Sequence, residues 1–138
     1  MKHIKVFNLI TGERKIVPSY VYLINRIEAE IEDCKRTIRE YPDIGTVLDG
    51  SRFATQKVLE SLKNKINDIT NKETVFTSFY KTLFHDIDAL NKICNNTENT
   101  SVQCVLIGQR IGYKIVANLI EDINKCKDAS EKPIELKK

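Results

Sequence analysis

Apolar positions along this chain fall into one alternating segment followed by four stripes of helical spacing. Ile4, Val6 and Leu9 alternate ahead of a turn at Thr11-Gly12-Glu13, and Ile16 and Val17 resume after it. That spacing reads as a small hairpin or extended arm over residues 1–17, with a direct start of helix as the competing reading. Pro18-Ser19 then supplies a helix start, and Tyr20, Ile24, Ile27, Ile31, Cys34 and Ile38 follow at alternating steps of four and three until Tyr41-Pro42 stops them. A stripe this regular could be a coiled-coil seam. Three heptads with no partner stripe elsewhere make it instead one core-facing helix of a bundle.

Residues 43–50, with two glycines, read as a loop, and Asp49 or Ser51 can cap the helix that follows. The spacing predicts that helix over 53–69, with Val58, Leu59, Leu62, Ile66 and Ile69 on one side and lysines on the other. Residues 74–94 form a richer segment with Val75, Phe76, Phe79, Tyr80, Leu83, Phe84, Ile87, Leu90 and Ile93. This density exceeds what one face of a surface helix needs, so the side chains either line an open cleft or make a wide core contact. A polar loop over 95–100 leads to the most apolar stretch, residues 101–123, whose apolar positions surround nearly the whole helix. Such a helix is the hub of an all-helical domain. Gly108 and Gly112 remove side-chain bulk from one of its faces, where a neighbouring helix can approach closely. Gln103, Gln109, Arg110, Lys114 and Asn118 make it too polar to cross a bilayer.

A chain of 138 residues is expected to form a single domain, residues 1–138, with an arm at 1–17 and a polar tail at 126–138. Hydrophobic content of 41% and charged content of 30% are ordinary globular values, and the charges interleave to a net +3. No nucleic-acid footprint is present. The first residues carry no signal-peptide core, so the expected location is intracellular and the four distant cysteines, Cys34, Cys94, Cys104 and Cys126, are expected to be reduced. The glycosylation-like triplets at Asn95 and Asn99 then mean no more than a polar loop. A catalytic reading would pair Cys104 or Cys94 with His85 and Asp86 or Asp88, but helical spacing brings neither cysteine to the histidine. Zinc-ligand spacings and phosphate-binding glycine loops are absent, so catalytic residues, metal and cofactor are each expected to be none. What remains is a helical binding module.

The stretch from Thr55 to Leu83, TQKVLESLKNKINDITNKETVFTSFYKTL, resembles the Bcl family of apoptosis regulators, especially its pro-survival members. Lys57-Val58-Leu59-Glu60-Ser61-Leu62 is similar to the opening of the family's third homology motif, and Glu73-Thr74-Val75-Phe76, running on to Leu83, to the helix that follows it. Ile111 to Leu119, IGYKIVANL, resembles the end of the family's buried fifth helix. The chain departs from the pattern where Leu62 leads to Lys65, Ile66, Asn67 and Asp68, and where Ser101-Val102-Gln103-Cys104 replaces the first motif's Asn-Trp-Gly-Arg. Strongly diverged, shortened members of the family are typical of large DNA viruses.

The resemblance implies an all-α, Bcl-like bundle around a central hydrophobic helix. It implies a viral pro-survival protein that sequesters the amphipathic death-motif helix of pro-apoptotic Bcl-family ligands in the host cytoplasm or peripherally at mitochondria. The implied groove uses Phe76, Phe79 and Leu83 from the family's third helix, Leu90 and Ile93 from its fourth, and Ile107 and Ile111 from the central helix. Loss of the motif's arginine leaves Arg110 and nearby lysines as the only local candidates to meet the ligand's Asp, and the expectation is that this Asp instead faces water and that apolar fit selects a narrow ligand range. A homodimer stays open, and neither nucleic acid nor an integral membrane span is expected. The alternative keeps the fold as an adaptor that blocks innate-immune signalling through an outer helix face.

Overall fold

The computed structural model of the chain describes residues 2–40, 46–126 and 130–134. Its elements run in the order β1 (His3–Asn8), β2 (Arg14–Pro18), α1 (Ser19–Glu40), α2 (Thr46–Asp68), a 3₁₀ turn (Lys72–Phe76), α3 (Ser78–Asn95), α4 (Thr100–Lys125) and β3 (Ser130–Ile134). The four helices fall where the stripes put them. The chain is mostly helical, and a small sheet joins the bundle: β1 pairs antiparallel with β2, within the arm expected over residues 1–17, and parallel with β3. Residues 130–134, read from sequence as polar tail, are therefore a strand. Their polar composition gives no alternation to read, and a parallel partner from the far end of the chain is a tertiary event.

The β1–β2 hairpin turns through Gly12 at a φ of 73°, a left-handed conformation that suits glycine. Ile4, Val6 and Val17 form a small core against Val21, Tyr22 and Cys126. Lys2 ties the hairpin to the helices by donating from Nζ to the carbonyls of Ile123 (2.9 Å) and Asn124 (3.2 Å) at the end of α4.

In α1 the buried face is Ser19, Leu23, Ile27 and Ile31, with Ile24 and Cys34 of the predicted stripe packed half-buried beside it and Tyr20 outside the core. The expected stop at Tyr41-Pro42 lies outside the described residues. Helix α2 starts at Thr46, ahead of the expected cap at Asp49 or Ser51, so part of the predicted 43–50 loop is helical. Leu59, Leu62 and Ile66 from α2 join Leu83 and Ile87 from α3 and Val116, Ala117, Ile120 and Ile123 from α4 in the main core. A break at Thr77 (φ −121°, ψ −86°) separates the 3₁₀ turn from α3. Asn99 caps α4 by accepting from the Val102 N–H at 3.1 Å.

At Gly108 and Gly112 α4 packs directly against α2. Gly108 and Gly112 face α2 as expected, and a Cβ built on Gly108 would overlap the Ser51 carbonyl. The gap is closed by a buried hydrogen bond from Thr55 Oγ1 to the Gly108 carbonyl, 2.6 Å long. The C-terminal half of α4 is the hub that its sequence suggests. Its N-terminal half is barer, with Val102, Val105 and Ile111 exposed.

Candidate partner-binding cleft

Two rows of side chains flank the glycine contact. On α2 the row is Phe53, Lys57 and Ser61, and on α4 it is Val105, Gln109 and Tyr113. Each row steps by four residues, which stacks its members along one helix face. With Gly50, Ala54 and Val58 they line an open cleft of about 440 Å³. Phe53 is 51% exposed and Val105 38%, so the cleft presents apolar surface that no described element covers.

Polar groups punctuate this surface. The Lys57 ammonium lies 5.1 Å from the centre of the Phe53 ring, a cation–π contact at the cleft wall. Burial pushes the Tyr113 phenol above its ordinary range, and the nearby carboxylate of Asp86 on α3 adds to the shift. Both effects disfavour phenolate, so the hydroxyl stays protonated to higher pH than an exposed phenol would. Arg110, one of the candidate cations for a ligand's Asp, donates from Nη1 to Asn91 Oδ1 at 2.7 Å, toward α3. Among the described cleft residues, Lys57 is the cation.

The seven residues expected to form the groove are dispersed, and none is among the side chains that line this cleft. Leu83 is 1% exposed in the main core, and Phe76 and Phe79 pack half-buried against it. Leu90 is half-buried, while Ile93 is exposed further along α3. The family's third and fourth helices are not separate here, because α3 carries Phe79, Leu83, Leu90 and Ile93 on one continuous helix. Ile107 and Ile111 each stand two residues from Gln109, which is about 200° around a helix. They therefore point away from the cleft, and Ile111 is 42% exposed there.

A sequence signal for the missed residues did exist. Once Gly108 and Gly112 are set against a neighbouring helix, positions 105, 109 and 113 lie about 60–100° around from them and must border that neighbour.

The residues of the catalytic alternative are also spread out. His85 is exposed on α3, and Cys94 is half-buried nine residues along, about half a turn around the axis. Cys104 is half-buried on α4, and all four cysteines are free. Among the described residues, no cluster of three His, Cys, Asp or Glu side chains is placed to hold a metal ion. The arrangement at the cleft contains an aromatic anchor point, aliphatic floor and a few donors, which is the chemistry of recognition by burial. Comparison with known proteins finds no matching family model, no matching curated protein and no matching solved structure.

Proposed function

We propose that the chain is a helix-capturing protein whose α2–α4 cleft binds the amphipathic death-motif helix of a pro-apoptotic Bcl-family ligand, suppressing apoptosis by sequestration. The observation that carries this reading is the exposed apolar cleft, with Phe53 and Val105 uncovered between two rows of side chains that run along neighbouring helices. An amphipathic helix presents anchors at i, i+3 or i+4 and i+7, a spacing suited to an elongated cleft of this kind. The Bcl identity of the ligand rests on the resemblance of residues 55–83 and 111–119. Those segments include one wall of the cleft from Lys57 to Ser61 and its end at Tyr113.

The missing arginine shapes what the cleft can select. Cys104 adjoins Val105 on α4, a step of about 100° around the helix, and offers no charge. Lys57 is exposed and already engaged with Phe53. An acidic ligand residue that meets it forms a solvated ion pair worth about 0–1 kcal/mol. Selection therefore falls to apolar fit, and changing the ligand's Asp to Ala is expected to cost less than about 1 kcal/mol.

Titration of the chain with labelled death-motif peptides tests the proposal. Saturable binding to at least one peptide is expected, weakened by about 1–3 kcal/mol in Phe53→Ala or Val105→Ala with little change in melting temperature. No saturable binding to any peptide, or binding indifferent to both substitutions, would overturn it.

A further inference from the structure

We propose that the β1–β2 hairpin is a docking element for anionic lipid bilayers, with its turn dipping into the interface and its basic side chains resting on the headgroups. The inference stands apart from the cleft and its ligand.

The first observation is the distribution of charge. Residues 1–18 contain Lys2, Lys5, Arg14 and Lys15 against the single acid Glu13, and their surplus equals the net +3 of the whole chain. Everything after Pro18 is charge-balanced. The hairpin is thus locally basic, while the segment from 125 to 138, with five lysines against Asp128, Glu131 and Glu135, is offset by the acids between the two. Lys5 and Arg14 are exposed on the hairpin face turned away from Ile4, Val6 and Val17, while Lys15, paired with Val6, is exposed on the other face and Lys2 is held at the end of α4.

The second observation is where the exposed aliphatic groups lie. Leu9 and Ile10, at the tip, are 55% and 73% exposed, and Ile16 on β2 is 57% exposed. Ile16 pairs across the strands with Lys5, and Phe7 with Arg14, whose guanidinium lies 5.3 Å from the Phe7 ring centre. Apolar and cationic groups therefore alternate on the face turned away from Ile4, Val6 and Val17. That pairing of apolar and basic side chains matches the interfacial zone of a bilayer that carries negative lipids.

The third observation is that the tip can enter a poorly hydrated region without exposing backbone donors. Asn8 Oδ1 accepts from the N–H groups of Ile10 (2.9 Å) and Thr11 (3.3 Å), and Thr11 Oγ1 accepts from Glu13 N–H at 3.2 Å. Gly12 N–H donates to the Asn8 carbonyl at 2.8 Å. Every N–H from Ile10 to Glu13 is thus satisfied within the turn, as low-dielectric surroundings require. Pairing of the β2 edge with a second copy of itself would set Arg14 and Lys15 against their own likenesses, and basic edge strands resist such pairing.

The chain has no tryptophan, so Ile10→Trp installs a single indole at the tip. The full chain carrying this substitution is mixed with phosphatidylcholine vesicles with and without phosphatidylserine at low salt. A blue shift of emission, together with vesicle co-sedimentation, is expected only with phosphatidylserine and should be reversed by high salt. In vesicle co-sedimentation of the otherwise unaltered chain, replacing Lys5 or Arg14 with alanine is expected to weaken binding about fivefold each. Leu9→Ser with Ile10→Ser is expected to weaken it about tenfold or more. All of these positions are exposed, and an unchanged circular-dichroism melt confirms that the variants remain folded.

Absence of binding, equal binding to neutral vesicles, or binding that survives the Leu9 and Ile10 changes would each overturn the proposal. A blue shift that grows with protein concentration and needs no lipid would show that the tip covers a second copy, and would overturn it as well.

Discussion

Substituting alanine for Gly108 should destabilise the fold, although alanine is the better helix former. The added Cβ would overlap the Ser51 carbonyl oxygen and stand 2.8 Å from its carbon and 2.9 Å from the Ser51 Cα, where ordinary contact begins at 3.4 Å. These are backbone atoms inside α2, so no side chain can rotate out of the way. Relief requires α2 and α4 to separate locally by about an ångström, which loosens the packing between them. Overpacking of this kind costs about 1–3 kcal/mol. Separation also stretches the 2.6 Å bond from Thr55 Oγ1 to the Gly108 carbonyl, a further loss of about 1 kcal/mol. Helix preference returns about 1 kcal/mol. The net expectation is a loss of about 1–3 kcal/mol, or a fall of roughly 4 °C in melting temperature for each kcal/mol at this chain length.

Gly50 supplies the control. It lies within α2, and a Cβ there meets nothing within 4 Å. Gly50→Ala should therefore stabilise by about 0.5–1 kcal/mol through helix preference and a less disordered unfolded chain. Urea denaturation of the two variants beside the natural chain reads both signs. If Gly108→Ala proves as stable as the natural protein, or if the two substitutions shift stability in the same direction, the close helix contact is wrong.

Further expectations concern the core, a helix end and the cleft tyrosine. Leu83→Ala should cost about 2–5 kcal/mol in equilibrium unfolding, as a core truncation does, and a cost below 1 kcal/mol would return Leu83 to an open surface. Lys72 Nζ donates to the carbonyls of Ile66 (2.9 Å) and Asn67 (2.8 Å) at the end of α2, so Lys72→Met should lower stability by about 0.5–1.5 kcal/mol. An unchanged urea midpoint would remove that role. The folded Tyr113 phenol titrates above the ordinary tyrosine value of about 10, so the fold favours its neutral form. The associated stability is fully present below pH 10 and is lost as pH rises through the folded value. In a phenolate absorbance titration, Asp86→Asn should bring the Tyr113 midpoint down, and no movement would separate the two groups.

Periodicity made the helices legible because their stability comes from burying one face, and a face leaves a spacing in the sequence. The 4-3 stripe gave α1, the Val58 to Ile66 row gave α2, and the paired glycines announced a close helix approach before its partner was known. The hairpin was readable from Ile4, Val6 and Val17 around Gly12. Boundaries were less so, since the start of α2 and the break at Thr77 carry no strong stop or start signal.

Tertiary structure decided the rest. Phe79 and Leu83 have the same composition signature whether they line a cleft or pack a core, and only the position of α4 assigned Leu83 to the interior. The cleft residues Phe53, Val105 and Tyr113 became a set when Gly108 and Gly112 brought two segments about fifty residues apart into contact. Strand β3 was invisible for the same reason, because its partner β1 lies at the opposite end of the chain. Local sequence fixes which face of an element is apolar. Which apolar faces meet, and which are left bare for a partner, depends on contacts distant in sequence.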